Sequence, residues 1–311
     1  MGYKMQIYAI LAQMVVIILC GVAWRRLKPF DIDIGDTRRV LSNIVYGLLL
    51  PALVLRVLWR VPLGLDVLKV SLVATCAICL ALLVAWLWYR FQGSNHPATG
   101  ALLLAAAFGN VTYLGLPVLE SVMGPKMRHV ALEYDLFAST PLLLTLGVLL
   151  ARHYGGQGRG GGNLLTTLLK VPPLLAALAA VGLNLSGVPL YPWLEGVFDK
   201  LAAGVIPLML VVVGLGLEWK HGWVGRLVLL APALVIQMLL MPLWVWGLGI
   251  GVGLSGHLLT AVVLEGAMPC MLLGIVICER YRLDTSLYAE AVSVSTALSA
   301  LTLPLWYHWL T

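Results

Sequence analysis

The sequence predicts an all-α membrane protein with ten transmembrane helices, arranged as two inverted five-helix repeats. Of its 311 residues, 61% are hydrophobic and only 11% are charged, and the mean hydropathy is +0.96. Soluble domains carry about 45–50% apolar and about 25% charged residues. Ten apolar stretches of helical length run along the chain, and similar residues recur half a chain apart. This composition excludes an ordinary soluble enzyme and a disordered chain.

Each apolar stretch is long enough to cross a bilayer, which requires roughly 20 residues per helix. The predicted spans of the first half are 6–24, 41–59, 67–90, 98–122 and 130–152. Those of the second half are 164–184, 199–217, 226–251, 257–279 and 286–308. The first span is too long for a removable signal peptide, and no small-residue cleavage site precedes Trp24. The connections are short, so we expect no sizeable soluble domain.

The chain divides at its midpoint. Residues 155–163 are dominated by glycine and form a flexible linker by composition. We therefore predict a first repeat at 1–154 and a second at 164–311. The glycines around 251–256 spell a nucleotide-binding pattern, but they end a membrane helix and do not follow a soluble strand, so we expect no nucleotide site there.

Several residues recur at a nearly constant offset of half the chain. An odd number of spans per repeat forces the second repeat into the membrane upside down, and inverted repeats are typical of secondary transporters. The pairs are Pro51 with Pro207, which are 156 positions apart, and Gly109 with Gly266 and Glu133 with Glu290, which are 157 apart.

Spans four and nine carry helix-breaking residues near their centres: Gly109, Gly115 and Pro117 in one, Gly266 and Pro269 in the other. A proline removes an intrahelical donor, and broken backbone persists in a membrane only where protein buries it or a cavity is lined by it. Two broken helices that cross would direct two helix N-termini at one point, which favours a small anion. We expect these five residues to shape such a crossover.

The basic residues are distributed unevenly between the two membrane faces. With ten spans, seven of the 20 Lys and Arg residues lie on the side of the N-terminus and thirteen on the opposite side. The positive-inside rule then places both termini outside the cell. The net charge of +6 reflects these basic loops, so nucleic acid is not an expected partner.

Three short motifs, in this order, resemble those of the auxin efflux carrier family, which includes plant PIN proteins and bacterial malonate or malate carriers. The resemblance covers essentially the whole chain. The motifs are Asn110-x-x-x-x-Gly115-Leu116-Pro117, then Ala267-Met268-Pro269, and finally Glu279-Arg280-Tyr281-x-x-Asp284 with Ser295-Thr296-x-x-Ser299-x-x-Thr302-Leu303-Pro304.

The resemblance implies a fold related to bile-acid sodium symporters. Spans 1, 2, 6 and 7, with Pro51 and Pro207, would form a scaffold, and spans 3–5 and 8–10 would form a moving transport bundle. Members of the family carry small organic anions, such as auxin-like or dicarboxylic acids, by an elevator-type motion. A multi-pass homodimer in the inner membrane of a bacterium is the expected form.

Asn110 is the first candidate for substrate binding, because its amide can donate to a carboxylate and it matches the family's asparagine in span four. Its alternative role is to cap an unwound half-helix. Thr112 and Tyr113 are further candidates to line the site. Tyr46, near the scaffold proline, either faces the site or packs at an interface.

Glu265 lies near the middle of span nine, where an ionisable side chain is costly and usually functional. Three interpretations stay open: a sodium ligand, a proton-coupling carboxyl, or a neutral glutamic acid hydrogen-bonded inside the bundle. The related bile-acid symporters use a glutamate of the ninth helix for sodium. Negative charge beside an anion site would repel the substrate unless a cation or proton neutralises it. Beyond such a coupling ion we expect no cofactor.

The main alternative function is sodium/proton antiport, which would place carboxylates at the centre of span five. We expect Glu133 and Asp135 near the end of that span, either at an interface or positioned to orient groups of span four. An intramembrane enzyme or a receptor would show a catalytic set or an appended signalling domain, and the sequence has neither. Because few basic residues lie within the spans, one substrate carboxylate is easier to accommodate than two.

Overall fold

A computed structural model describes residues 2–28, 32–60, 64–92, 95–156, 172–217 and 223–311. Within these ranges the regular structure is helical, apart from one isolated β-bridge. The helices of the first half are α1 (Gly2–Leu27), α2 (Ile34–Leu58), α3 (Leu65–Gln92), α4 (His96–Ala107), α5 (Val111–Met123) and α6 (Pro125–Tyr154). Those of the second half are α7 (Pro172–Leu185), α8 (Pro192–Gly216), α9 (Arg226–Gly251), α10 (Gly256–Gly266), α11 (Leu273–Tyr281) and α12 (Thr285–Leu310).

The helices have the length and polarity of a multi-pass membrane protein. In the part of the chain that the structure describes, five are long and apolar enough to cross a membrane: α2, α3, α6, α8 and α9. Four shorter apolar helices, α4, α5, α7 and α10, accompany them. The count of ten spans stays a prediction. Most of the glycine-rich linker and the start of predicted span six, with Lys170, lie outside the described residues.

Two helices begin seven residues earlier than the hydropathy pattern predicts. Span two was expected from residue 41, but α2 begins at Ile34, after Asp33 accepts a hydrogen bond from the Asp36 backbone N–H at 3.1 Å. Such a cap satisfies a free donor at a helix start. Span seven was expected from residue 199, but α8 begins at Pro192, where a proline fits the first turn. Because the first turns of both helices carry polar side chains, their mean hydropathy is low, and a hydropathy pattern does not predict them as part of a membrane helix.

Wide π turns interrupt four of the membrane helices. A proline has no N–H and clashes with the carbonyl four residues back. In a π turn the backbone hydrogen bond reaches the carbonyl five residues back instead of four, as from the Leu50 N–H to the Val45 carbonyl. Four of the five π turns in the described residues end two positions before a proline: Val45–Leu49 before Pro51, Val111–Gly115 before Pro117, Asp135–Ser139 before Pro141, and Ile236–Leu240 before Pro242.

The helices pack as two groups. In the first, α1 lies along α8, and α2 packs on α7 and α8. The α1–α8 crossing occurs at Gly21 and Gly214, where a Cβ on Gly21 would lie 3.0 Å from the Gly214 Cα. Small residues let membrane helices approach this closely. In the second group, α3, α4, α6, α9, α10, α11 and α12 pack on one another. The half-helix α5 contacts α1 and α8 as well, so it lies where the groups meet.

Candidate functional site

Two interrupted helices cross inside the second group. The chain leaves helical geometry after α4 at Phe108–Asn110 and again between α10 and α11. At the crossing, Gly109 and Cys270 form an antiparallel bridge. The Asn110 N–H donates to the Pro269 carbonyl at 2.7 Å, and the Met271 N–H donates to the Phe108 carbonyl at 2.9 Å. Each break therefore provides hydrogen-bond partners for backbone groups of the other. Backbone N–H and C=O groups within a membrane need such partners, because no water is available to them there.

Neighbouring side chains hold the crossing in place. The Gln237 amide nitrogen, in the π turn of α9, donates to the Met268 carbonyl at 2.9 Å. The Cys270 N–H donates to the Ser295 hydroxyl at 3.0 Å. A Cβ on Gly109 would lie 3.0 Å from the Gln237 Nε2 atom, so a larger residue here would have to displace the Gln237 side chain. Backbone, amide and hydroxyl groups thus fix the two breaks against each other.

Two helix N-termini lie at the crossing. The half-helix α5 starts at Val111 without a side-chain cap, and α11 starts at Leu273. The first N–H groups of a helix have no intrahelical acceptor, and this end carries a partial positive charge. Asn110, immediately before α5, is 1% exposed, and its amide nitrogen has no hydrogen-bond partner in the described structure. The crossing therefore offers several donors to a small anion.

A cavity of about 420 Å³ borders both of these N-termini. Tyr113 reaches it from the first turn of α5, and Leu272 and Leu273 reach it from the start of α11. The opposite wall is one face of α2, and among the described residues the lining contains two arginines and no carboxylate. The α2 wall consists of Gly35, Arg38, Arg39, Ser42, Asn43 and Tyr46. The Tyr113 phenol and the Ser42 side chain lie near each other in the lining.

A larger cavity, of about 660 Å³, lies away from the crossing between α9 and α12. Leucine, methionine and tryptophan side chains line it, including the half-exposed Leu239 and Trp309. Its wall has the apolar character of a surface that faces lipid tails. The smaller cavity, with polar groups at a broken-helix crossing, is the better candidate for a solute site.

Glu265 lies in the last turn of α10, and we call this side of the crossing the acidic side. Its side chain is 0% exposed, and neither carboxylate oxygen has a hydrogen-bond partner among the described residues. The carboxylate packs against Gly115 so closely that a Cβ there would overlap Oε2. Because an unpaired buried carboxylate is unfavourable, the arrangement calls for a proton or a cation at this position.

A second buried acid, Asp135, connects α6 to the crossing. Its carboxylate accepts hydrogen bonds from the Thr112 hydroxyl and, at 2.9 Å, from the Thr140 hydroxyl. Asp135 is 4% exposed and interacts electrostatically with both Glu265 and Tyr46. The expectation that Asp135 lies near the end of span five is wrong, because α6 begins at Pro125, ten residues before Asp135, and continues to Tyr154. Of the two roles expected for Asp135, the structure favours the one that orients a span-four group.

The predicted site residues lie in distinct places. Pro269 is part of the second break, whereas Pro117 follows the π turn of α5. Gly266 ends α10 and packs on α9, where a Cβ would lie 2.8 Å from Val245. Pro51 follows the π turn of α2 that holds Tyr46, and Pro207 lies beyond the kink that divides α8. Tyr46 and Tyr113 meet at the cavity, and Thr112 faces Asp135 instead.

Two residues at the site, Arg38 and Gln237, were not predicted from the sequence, and the position of Asp135 within its span was predicted wrongly. Asp135 and Gln237 each lie in a π turn that ends two positions before a proline. Such turns occur frequently at functional sites, so a polar residue four to six positions before a membrane proline is a usable signal. Arg38 was assigned to a loop because α2 was expected to start later.

Comparison with known proteins identifies a family. Residues 7–154 and 161–307 match the family described as membrane transport protein. Among similar proteins, an uncharacterized transporter of Methanothermobacter thermautotrophicus is 28% identical over 286 residues, which cover 90% of this chain and 91% of the relative. The uncharacterized transporter MJ1031 of Methanocaldococcus jannaschii is 24% identical over 90% of this chain and 92% of its own. The uncharacterized transporter YfdV of Escherichia coli K12 is 24% identical over 96% of both chains.

Proposed function

Because the chain belongs to the auxin efflux carrier family of membrane transport proteins, a transporter family and not an enzyme family, we propose that it is a secondary transporter of small organic anions. The observation that carries this proposal is the cavity that borders two helix N-termini at the crossing of the broken helices. Carboxylates are the favoured substrates, because N–H groups, an amide and arginine side chains are all donors.

Transport would follow an elevator-type alternating access. Two inverted five-helix repeats, 1–154 and 164–311, would contribute one broken helix each. Spans 1, 2, 6 and 7 (α1, α2, α7 and α8) would be the scaffold, and spans 3–5 and 8–10 the moving bundle. The packing of α1 and α2 with α7 and α8 supports this division. The cavity lies between α2 and the crossing, so a displacement of the bundle would carry the substrate past the scaffold.

The anion would bind at the inner end of the cavity. Tyr113 and Tyr46 line the cavity, whereas Asn110 is buried three positions before Tyr113 and is not among the lining residues. The unpartnered Asn110 amide and the first N–H groups of α5 would donate to one carboxylate at this end of the cavity. Hydrogen bonds to a charged group contribute about 1.5–3 kcal/mol each. Asn110 therefore contributes directly to affinity, and Thr112 acts through its bond to Asp135.

Coupling would depend on Glu265 and Asp135. Two buried carboxylates that interact with each other are unfavourable when both are charged and without a cation. A sodium ion between them, or a proton on one, would neutralise the charge that otherwise repels the anion. In the described part of the chain, no group of three His, Cys, Asp or Glu side chains could hold a metal ion. A coupling cation would therefore also need hydroxyl or backbone oxygen ligands.

The positive-inside count gives the proposed orientation. The cavity opens beside Arg39, at the start of α2, which is on the face with thirteen of the 20 Lys and Arg residues. With both termini outside the cell, the structure would represent an inward-facing state. The proposed location is the bacterial inner membrane, with a homodimer as the proposed assembly and no nucleic-acid partner.

Sodium/proton antiport is the second candidate, and the position of Asp135 specifically favours it. A buried aspartate on α6 that interacts with Glu265 has the character of a cation exchange site. The arginine-lined cavity has no role in such an exchanger. The anion carrier therefore accounts for more of the structure.

The test is transport in proteoliposomes across a panel of mono-, di- and aromatic carboxylates, with sodium and proton gradients varied independently. We expect flux of at least one acid, reduced about tenfold to a hundredfold in Asn110→Ala. Asn184→Ala is the matched control, because Asn184 donates to the Leu58 and Trp59 carbonyls away from the crossing. Proton or sodium exchange without any carboxylate flux would instead establish the antiporter.

A further inference from the structure

The polar wall of the cavity is a continuous stripe on α2. Its residues are Gly35, Arg38, Arg39, Ser42, Asn43 and Tyr46. Their separations of three, one, three, one and three positions place them on one helix face. This face would otherwise be expected to be apolar in a membrane helix. The stripe runs from the water-exposed start of α2 to the level of the crossing.

The two arginines of the stripe have different surroundings. Arg39 is exposed and lies 3.8 Å from the Asp36 carboxylate. Arg38 is half-buried, and among the described residues no acidic side chain forms an ion pair with it. Within the part of the chain that the structure describes, no carboxylate lines the cavity either. A cation that faces a partly enclosed space without a counter-charge is a binding element for an anionic group.

The distance from Arg38 to the groups at the crossing follows from the geometry of α2. At 1.5 Å per residue, its Cα is about 6 Å from that of Ser42 and about 12 Å from that of Tyr46 along the helix axis. Ser42 and Tyr46 line the cavity together with Tyr113 of the first turn of α5. A guanidinium group on its flexible stem can therefore contact a ligand whose first acidic group lies at the crossing and whose second lies several ångström outward.

We propose that Arg38 is a specificity-determining residue that pairs with a second acidic group of the substrate, so that the carrier prefers dicarboxylates to monocarboxylates of the same length. This inference rests on the proposed function. It reverses the expectation that one carboxylate is the easier substrate. A monocarboxylate places its apolar end against Arg38, and a binding site built for a charged partner rejects ligands that lack it.

The test compares succinate and glutarate with butyrate and valerate, which have the same chain lengths, as substrates of the full-length protein in proteoliposomes. In Arg38→Gln we expect the diacid-to-monoacid ratio of kcat/KM to fall about tenfold to a hundredfold, the effect of one charged hydrogen-bonded pair. Arg38→Lys should retain part of the preference. Arg90→Gln is the matched control, because Arg90 lies in the last turn of α3 over the Trp86 ring and does not line the cavity, and it should leave the ratio unchanged.

The outcomes separate this inference from the proposed function. Equal losses for diacids and monoacids in Arg38→Gln, or the same change of ratio in Arg90→Gln, would overturn the assignment to Arg38. Wild-type protein that carries monoacids and not diacids would overturn it as well, while the anion carrier stands. Wild-type protein that carries no acid would remove both. Thermal unfolding of each purified variant verifies that the protein is folded, and binding of succinate to it gives a second readout.

Discussion

The two sides of the helix crossing have opposite electrostatic character. On one side, α5 and α11 begin, and their N-termini border a cavity lined by arginine, serine and tyrosine. On the other side, α10 ends, and the buried Glu265 interacts electrostatically with the buried Asp135. Helix starts favour anions and helix ends favour cations. One crossing thus provides two chemically distinct sites within a few residues of each other.

The comparison explains why one site depends on the other. Asn110 and Gly115 belong to the same short segment. Asn110 provides an unpartnered amide donor, whereas Gly115 contacts the Glu265 carboxylate. In the proposed transporter, charge on the acidic side would repel an anion at the cavity side until a cation or proton arrives. Coupling between the ion and the substrate would then follow from Coulombic attraction across the crossing.

The largest expected effect comes from Glu265→Gln, which removes the acid and keeps its shape. We expect uphill accumulation to fall to the level without an ion gradient, while downhill exchange of the anion persists. Flux in proteoliposomes with and without the gradient measures both. Glu133→Gln is the matched control, because Glu133 is 2% exposed on α6 and one of its oxygens is also unpartnered. Equal gradient dependence in wild type and Glu265→Gln would separate the acidic side from coupling.

A smaller effect is expected from Asp135→Asn. Asparagine has one acceptor oxygen and cannot accept from both Thr112 and Thr140 as the aspartate does. The loss of one bond to a charged group corresponds to about 1.5–3 kcal/mol, which we expect as a lower apparent affinity for the coupling ion. Titration of flux against sodium or pH measures it. Thr145→Val, further along α6, serves as control, and an identical shift there would contradict the role of Asp135.

Gly115→Ala tests the contact between the two sides. The added methyl group would overlap the Glu265 carboxylate, so we expect a loss of stability of about 1–3 kcal/mol, typical of overpacking. The measurement is the thermal unfolding midpoint of the purified protein. Glu265→Ala in the same chain should restore part of the loss by removing the overlapping atoms. Additive losses in the double variant would show that the two residues do not touch.

The smallest effect is expected from Pro141→Ala. Alanine restores the missing N–H and removes the clash that favours the π turn at Asp135–Ser139. A tighter turn would rotate Asp135 away from Thr112, and we expect a change in apparent ion affinity of less than about 1 kcal/mol. The ion titration used for Asp135→Asn detects it. No change in ion affinity would mean that tertiary contacts, and not the proline, set the turn.

Composition and the Gly and Pro pattern predict the broken helices, since glycine and proline act locally on the backbone. Gly109 and Pro269 were identified in this way, and the structure brings their segments together. The bond between Thr112 and Asp135 joins residues 23 positions apart on different helices, which local patterns do not encode. Arg38 was not predicted as a site residue, because the polar first turns of α2 have the composition of a loop, and only the structure shows that they line a cavity.

The central claim is that a carboxylate occupies the cavity between α2 and the crossing, and Ser42→Cys tests it most directly. In a background without the five native cysteines, we expect a membrane-impermeant maleimide to label Cys at this position from the face of Arg38 and Arg39. A saturating concentration of a transported carboxylate should slow the labelling, whereas a carboxylate that is not transported should not. Labelling at the same rate with and without the transported substrate would contradict the account.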